Sequence, residues 1–188
     1  MARFTREELE SFRDHPVDDV IGPGLRLLFV GINPGLWTAV TNTHFCHPSN
    51  RFYPALRRTG IIDWDLDPEV GMTDAQRRDF IAAGLGITNL VNRATVRASE
   101  LDPAELREGA ARLAGRVAQL RPAVVAVAGV TAYRTAFARP GTQMGRQPEG
   151  LESSELWVVP NPSGLNANET VDSLADWYRR VAATAGVL

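Results

Sequence analysis

The sequence predicts an α/β fold, a three-layer α/β/α sandwich with a central, mainly parallel sheet. Three observations carry this expectation. Short apolar runs at 25–30, 123–128 and 156–159, and the segment 86–91, have the length of strands. The run at 123–128 is apolar throughout, as strands buried on both faces are. Segments with helical spacing separate the runs, and such alternation favours parallel strands whose crossover helices cover both faces of the sheet.

The elements follow in order. Thr5 and Glu8 have capping-box spacing, so residues 5–13 read as a polar, peripheral helix. Gly22-Pro23-Gly24 punctuates the chain before the first strand, which only Arg26 interrupts. Residues 38–49 are expected to form a long loop. A helix over 50–59 has Ser49 or Asn50 as its cap and Pro54 in its first turn. Thr73 opens a helix over 73–83, and the second strand follows. Asp102-Pro103 starts an amphipathic helix over 103–120. A helix over 131–137 and a closing helix over 172–185 complete the pattern, with Asp172 near the positive end of the latter.

Composition narrows the function classes. A chain of 188 residues, 44% apolar, fits one domain, with residues 1–20 as an N-terminal extension. The first residues are charged rather than signal-like, and no apolar run approaches the roughly 18 residues of a membrane span. A soluble, cytoplasmic monomer without a membrane partner is expected. The single cysteine, Cys46, excludes an intrachain disulfide, a four-cysteine cluster and a Cys-rich zinc site. His44 and His47 lie in a Pro/Asn-rich loop without a clear third ligand, so neither metal nor cofactor is expected. The net charge of −2 supplies no global field toward a polyanion. All twenty basic residues are arginine, and Schiff-base chemistry normally needs a lysine amine.

Two loops follow strand carboxyl ends, where open α/β sheets place ligands. The first is GINPGL at 31–36. Pro34 restricts Asn33 to extended geometry, and Gly35 permits close approach of a ligand or another backbone. Asn33 either bonds its own loop as an Asx turn or presents its amide to a ligand. The second is NPSGLN at 161–166, with the same order of amide, proline and glycine. Leu165 is either tucked beneath this loop or exposed as a wedge of the kind that enters a base stack. Phe45 either anchors its loop or stacks on a planar base, a contact worth about 1–3 kcal/mol. Arg51, Arg57 and Arg58 either contact phosphates or remain solvated.

Taken together, GINPGL at 31–36, HPSNRF at 47–52, TNLVNR at 88–93 and NPSGLN at 161–166 resemble the mismatch-specific uracil/thymine DNA glycosylases of the uracil-DNA glycosylase superfamily. The resemblance extends from about Gly22 to Trp177. It implies an active site at the strand carboxyl ends and a base flipped out of the duplex into it. By this resemblance Asn33 positions the hydrolytic water and Asn161 lies near base and sugar. Ile32, Thr38 and Phe45 bind the base, Phe45 by stacking. Gly164, Leu165 and Asn166 form the wedge that fills the vacated stack. Independently of the resemblance, Arg51 is taken as a DNA-contacting residue through a phosphate. Asn92 falls where relatives often carry an acidic catalytic residue, Asn89 replaces a basic residue of some relatives, and Ala167 replaces an arginine beside the wedge.

An amide orients water but takes no proton at neutral pH, so Asn33 is a positioner and not a general base. With no lysine, direct hydrolysis that leaves an abasic strand is the expected reaction, on uracil and, given room for its methyl group, thymine or damaged pyrimidines. Double-stranded DNA containing uracil or mismatches is the expected partner. Two rivals stand beside this reading. One is a mismatch- or damage-binding module with little catalysis. The other is a small-molecule α/β hydrolase or transferase, but the chain has neither a GxSxG elbow nor a GxxxxGK[ST] phosphate loop.

Overall fold

The computed structural model describes residues 3–188. Its sheet contains β1 (Leu27–Gly31), β2 (Leu85–Asn89), β3 (Val124–Ala128), β4 (Gly145–Arg146) and β5 (Glu155–Val159). The spatial order is β2-β1-β3-β5-β4. The first four strands of that order run parallel, and β4 pairs antiparallel at one edge. The helices are α1 (Arg6–Glu10), α2 (Leu36–Thr41), α3 (Phe52–Thr59), α4 (Asp74–Ala82), α5 (Pro103–Leu120), α6 (Val130–Ala136) and α7 (Val171–Ala185).

Alternation along each strand divides the core into two layers. Leu27, Phe29, Val124, Ala126, Trp157 and Val159 face α3, α4 and α7. Leu28, Val30, Val125, Val127, Leu156 and Val158 face α5 and α6. A sheet apolar on both faces needs helices on both, which gives the expected three layers. Phe29 ties the sheet to the first helical layer by edge-on contacts with Phe52 of α3 and Tyr178 of α7, at 5.1 and 5.2 Å between ring centres.

The chain leaves β1 for β2 on one side and later enters β3 on the other. The carboxyl ends of β1 and β3 therefore flank a crevice at the point where the strand order reverses. GINPGL leaves β1 there, and NPSGLN leaves β5 one strand beyond β3.

Four local expectations change. Residues 36–41, partly assigned to a long loop, form α2. Its N-cap Gly35 offers no side-chain bond and it contains Thr38, Val40 and Thr41, so local propensity does not reveal it. Burial of Leu36 and Ala39 against Val17 and Ala94 supports it instead. The 50–59 helix starts at Phe52, whose N–H donates to Asn50 Oδ1 at 2.9 Å. The two-residue edge strand β4 is too short to leave a periodic signal. The N-terminal segment is less peripheral than its charge implies. α1 has the capping box of Thr5 and Glu8 and no fully buried residue, though Leu9 packs against the Val17 cluster; Val17 and Val20 beyond it are buried, and Val20 exchanges backbone bonds with Ile87 of β2.

α5 approaches the chain beyond β2 without room for a side chain. A Cβ on Gly109 would lie 2.3 Å from the Leu90 carbonyl oxygen. Backbone cannot yield as a side chain can. Gly109→Ala is expected to cost about 1–3 kcal/mol in urea unfolding despite alanine's higher helix propensity.

Candidate active site

A cavity of about 640 Å³ opens at the carboxyl ends of the strands. Ile32, Asn33, Thr38, Phe45, Asn161, Leu165 and Asn166 all line it. Elements distant in sequence thus bring together most of the residues selected from the motifs. Among the described residues its lining contains no aspartate or glutamate and one arginine, Arg97.

Asn33 does not form an Asx turn. Its Nδ2 donates to the Arg93 carbonyl at 2.8 Å, to Thr95 Oγ1 at 2.8 Å and to the Pro34 carbonyl at 3.1 Å. Carbonyls only accept, and Thr95 Oγ1 spends its own proton on the Arg97 carbonyl. The amino end of the amide must therefore point into the loop. Oδ1, with no partner among the described residues, remains an acceptor. The loop is stitched to its neighbour by Leu90 N–H on Gly31 O, Val91 N–H on Ile32 O and Thr95 N–H on Pro34 O.

The second motif has the opposite polarity. Asn161 Oδ1 accepts from Ser163 N–H at 3.0 Å, the Asx turn considered for this motif class. Its amino group, unpartnered among the described residues, remains a donor. The Asn161 carbonyl accepts from Asn166 Nδ2 at 2.9 Å, closing the loop on itself. Leu165 at the tip is 89% exposed, so the tucked alternative does not hold. Gly164 passes so close to Ser49 that a Cβ would lie 2.4 Å from its Oγ and 2.7 Å from its carbonyl oxygen.

Phe45 has a φ of 56°, a left-handed conformation that costs a bulky residue of order 1–3 kcal/mol. Buried His44 and Cys46 flank it, and its ring stacks on Phe52 at 4.3 Å. Surrounding packing thus holds an aromatic face in the cavity. Thr38 is buried on α2 and reaches the cavity from that helix, not from a loop.

Two assignments are corrected. Arg51 is not free for a phosphate. Its guanidinium donates to the carbonyls of Ser163 at 3.1 Å, Asn166 at 2.9 Å and Glu169, while its backbone N–H meets the Pro162 carbonyl at 2.9 Å. These carbonyls need a donor, and the rigid fork of arginine supplies several at once. Arg51 braces the Leu165 loop. Asn92 lies outside the cavity lining. Its Oδ1 accepts from Val17 N–H at 2.9 Å and its Nδ2 donates to Val17 O at 3.0 Å, so the amide pairs like a strand neighbour with the N-terminal segment.

Asn89 is the cavity residue that motif reading passed over as a departure. It ends β2 directly beside Gly31, and its Nδ2 lies 3.1 Å from His44 Nδ1. A Cβ at Gly31 would lie 2.3 Å from Asn89 Oδ1, so the glycine makes the room this amide occupies. The strand-end rule that singled out Asn33 applies equally to Asn89. The two loop histidines both line the cavity but have different surroundings. His44 is buried, whereas His47 is exposed and takes Ser49 N–H on Nδ1 at 3.1 Å. Among the described residues no group of three or more His, Cys, Asp or Glu side chains is arranged for a metal.

The model of the uracil DNA glycosylase superfamily matches residues 19–183, nearly the whole chain. This chain belongs to that superfamily. Its fold is similar to the solution NMR structure of a candidate uracil DNA glycosylase from Methanosarcina acetivorans, with a TM-score of 0.62 and 13% identity over 93% of this chain and 98% of that one. At that identity the likeness concerns the fold alone. The superfamily match begins at residue 19, two residues beyond the Val17 that Asn92 clamps.

The clamp predicts the outcome of restoring an acidic residue at 92. Asn92→Asp keeps the acceptor for Val17 N–H but sets a carboxylate against Val17 O. Urea unfolding is expected to show a loss of about 1 kcal/mol, with no gain in single-turnover rate.

Proposed function

We propose that the protein is a monofunctional DNA glycosylase that hydrolyses the N-glycosidic bond of uracil flipped from mismatched double-stranded DNA, leaving an abasic site for base excision repair. Superfamily membership supports the DNA glycosylase chemistry. The observation that carries the reading is the Asn33 amide. Three acceptors sharing its two N–H groups turn its nitrogen away and leave its oxygen as an oriented acceptor in a residue that lines the cavity.

The chemistry needs little more than positioning. The C1′–N1 bond breaks with its electron pair on the departing base, and the sugar gains cationic character. A water held by Asn33 Oδ1 adds at C1′, and its proton passes through solvent to the base anion. No carboxylate lines the cavity to take that proton, so the water reacts with a nearly formed cation and not as hydroxide. The free amino group of Asn161 is a donor for the negative charge that develops on the base oxygens. Phe45 offers a stacking face, and exposed Leu165 fits the gap the flipped base leaves. A guanine mismatch lowers the cost of flipping, which favours uracil opposite guanine.

The absence of a carboxylate from the lining also favours a second reading, a mismatch-binding module with little catalysis. Incubation of a uracil–guanine duplex followed by alkali separates the two. Glycosylase action leaves an alkali-labile site without prior strand cleavage, and a binding module leaves the strand intact.

Asn33→Ala is expected to lower the single-turnover rate by about a hundredfold, the usual effect of removing one oriented group, with the duplex Kd within about threefold. A similar loss in binding and rate would remove Asn33 from the water-positioning role. Gly164→Ala should push the Leu165 loop off Ser49 and weaken duplex binding by about tenfold, roughly 1.4 kcal/mol in titration.

A further inference from the structure

The N-terminal segment, His44 and Asn92 have no part in the reaction as described, yet they form a continuous chain of hydrogen bonds that ends in the cavity. His44 Nε2 lies 3.0 Å from the Asp18 carbonyl oxygen. A carbonyl only accepts, so Nε2 carries the proton. In the neutral ring Nδ1 then holds a lone pair, and Asn89, 3.1 Å away, must meet it with an N–H of Nδ2. The amide has no remaining choice of orientation: Oδ1 occupies the space that Gly31 leaves, and Asn89 lines the cavity.

The first member of the chain is itself held from several sides. Val17 is paired with both ends of the Asn92 amide. Asn42 accepts from Asp18 N–H at 3.0 Å and donates to the Asp18 carboxylate at 2.9 Å. The Asp19 carbonyl takes a bond from Arg77 at 2.7 Å. Burial lowers the His44 pKa, with Arg77 adding to that shift and the Asp18 and Asp19 charges opposing it, so the ring is neutral at neutral pH.

We propose that residues 17–19 and His44 form a relay that fixes Asn89 with its oxygen toward the flipped base, so that the pocket selects bases whose ring nitrogen carries a proton. The inference rests on the glycosylase reading above and deepens it. Uracil offers an imide N–H to an oxygen acceptor. Cytosine offers a lone pair at the same ring position, and two acceptors facing each other repel. His44 is a positioning residue. It acts through Asn89, and the N-terminal segment sets its tautomer.

The test uses the full chain with duplexes carrying uracil or cytosine opposite guanine. His44→Phe keeps an aromatic ring but offers Asn89 no acceptor. The uracil rate and the uracil-to-cytosine preference should each fall by about tenfold or more, with duplex Kd within about threefold. His44→Asn places an oxygen near the position of Nδ1 and should recover most of both, which a purely space-filling role does not predict. Nitrogen-15 spectra of the native protein at neutral pH should show the Nε2–H tautomer. A native-like rate and preference in His44→Phe, or the Nδ1–H tautomer, would overturn the relay while leaving the glycosylase reading intact. A native protein that leaves no alkali-labile site on the uracil duplex would overturn the glycosylase reading, and the base preference with it.

Discussion

A side-chain amide is ambiguous, with one end donating, the other accepting, and nearly the same shape either way. At this site the surrounding backbone removes the ambiguity. Carbonyls of Pro34 and Arg93 take the amino end of Asn33, and the Ser163 N–H takes the oxygen of Asn161. His44 takes the amino end of Asn89. A cavity without a carboxylate therefore presents two oriented acceptors and one oriented donor. Without a carboxylate, such fixed dipoles are the means by which these amides favour one distribution of charge in a reacting molecule. The parallel strands make this possible, because their carboxyl ends deliver three separate loops to one place.

The loops are held by groups that never reach the cavity. Arg51 gathers three carbonyls of the Leu165 loop, and Asn92 gathers the backbone of Val17. Each satisfies backbone groups that no regular ladder covers, and irregular segments need such partners to be well defined. Phe45 shows the same dependence. Its left-handed backbone is unfavourable alone and persists because buried neighbours on both sides and Phe52 beneath determine it.

The layers and most element positions were legible from local pattern. Residues 103–120 carry their cap, proline and apolar stripe within one segment, and the β-branched run of β3 can hardly be anything but a buried strand. α2 and β4 were not legible, because one is stabilised by contacts distant in sequence and the other has only two residues. The motif residues Asn33, Phe45, Thr38, Asn161 and Leu165 were readable as a set and do share one cavity. Arg51 and Asn92 were misplaced because a residue type states what a side chain can bond, while the partner it meets depends on the fold.

The sequence by itself determined the alternation of strands and helices, the two amide-proline-glycine loops at strand ends, and the absence of lysine. These rest on local periodicity, turn chemistry and composition, which need no knowledge of distant neighbours. Only the tertiary structure decided which end of each amide faces the cavity, that Arg51 braces a loop, and that residues 17–19 reach Asn89 through His44. Hydrogen-bond direction is set by the partner: Asn161 is set locally by Ser163, but Asn33, Asn89 and Arg51 meet partners tens of residues away along the chain.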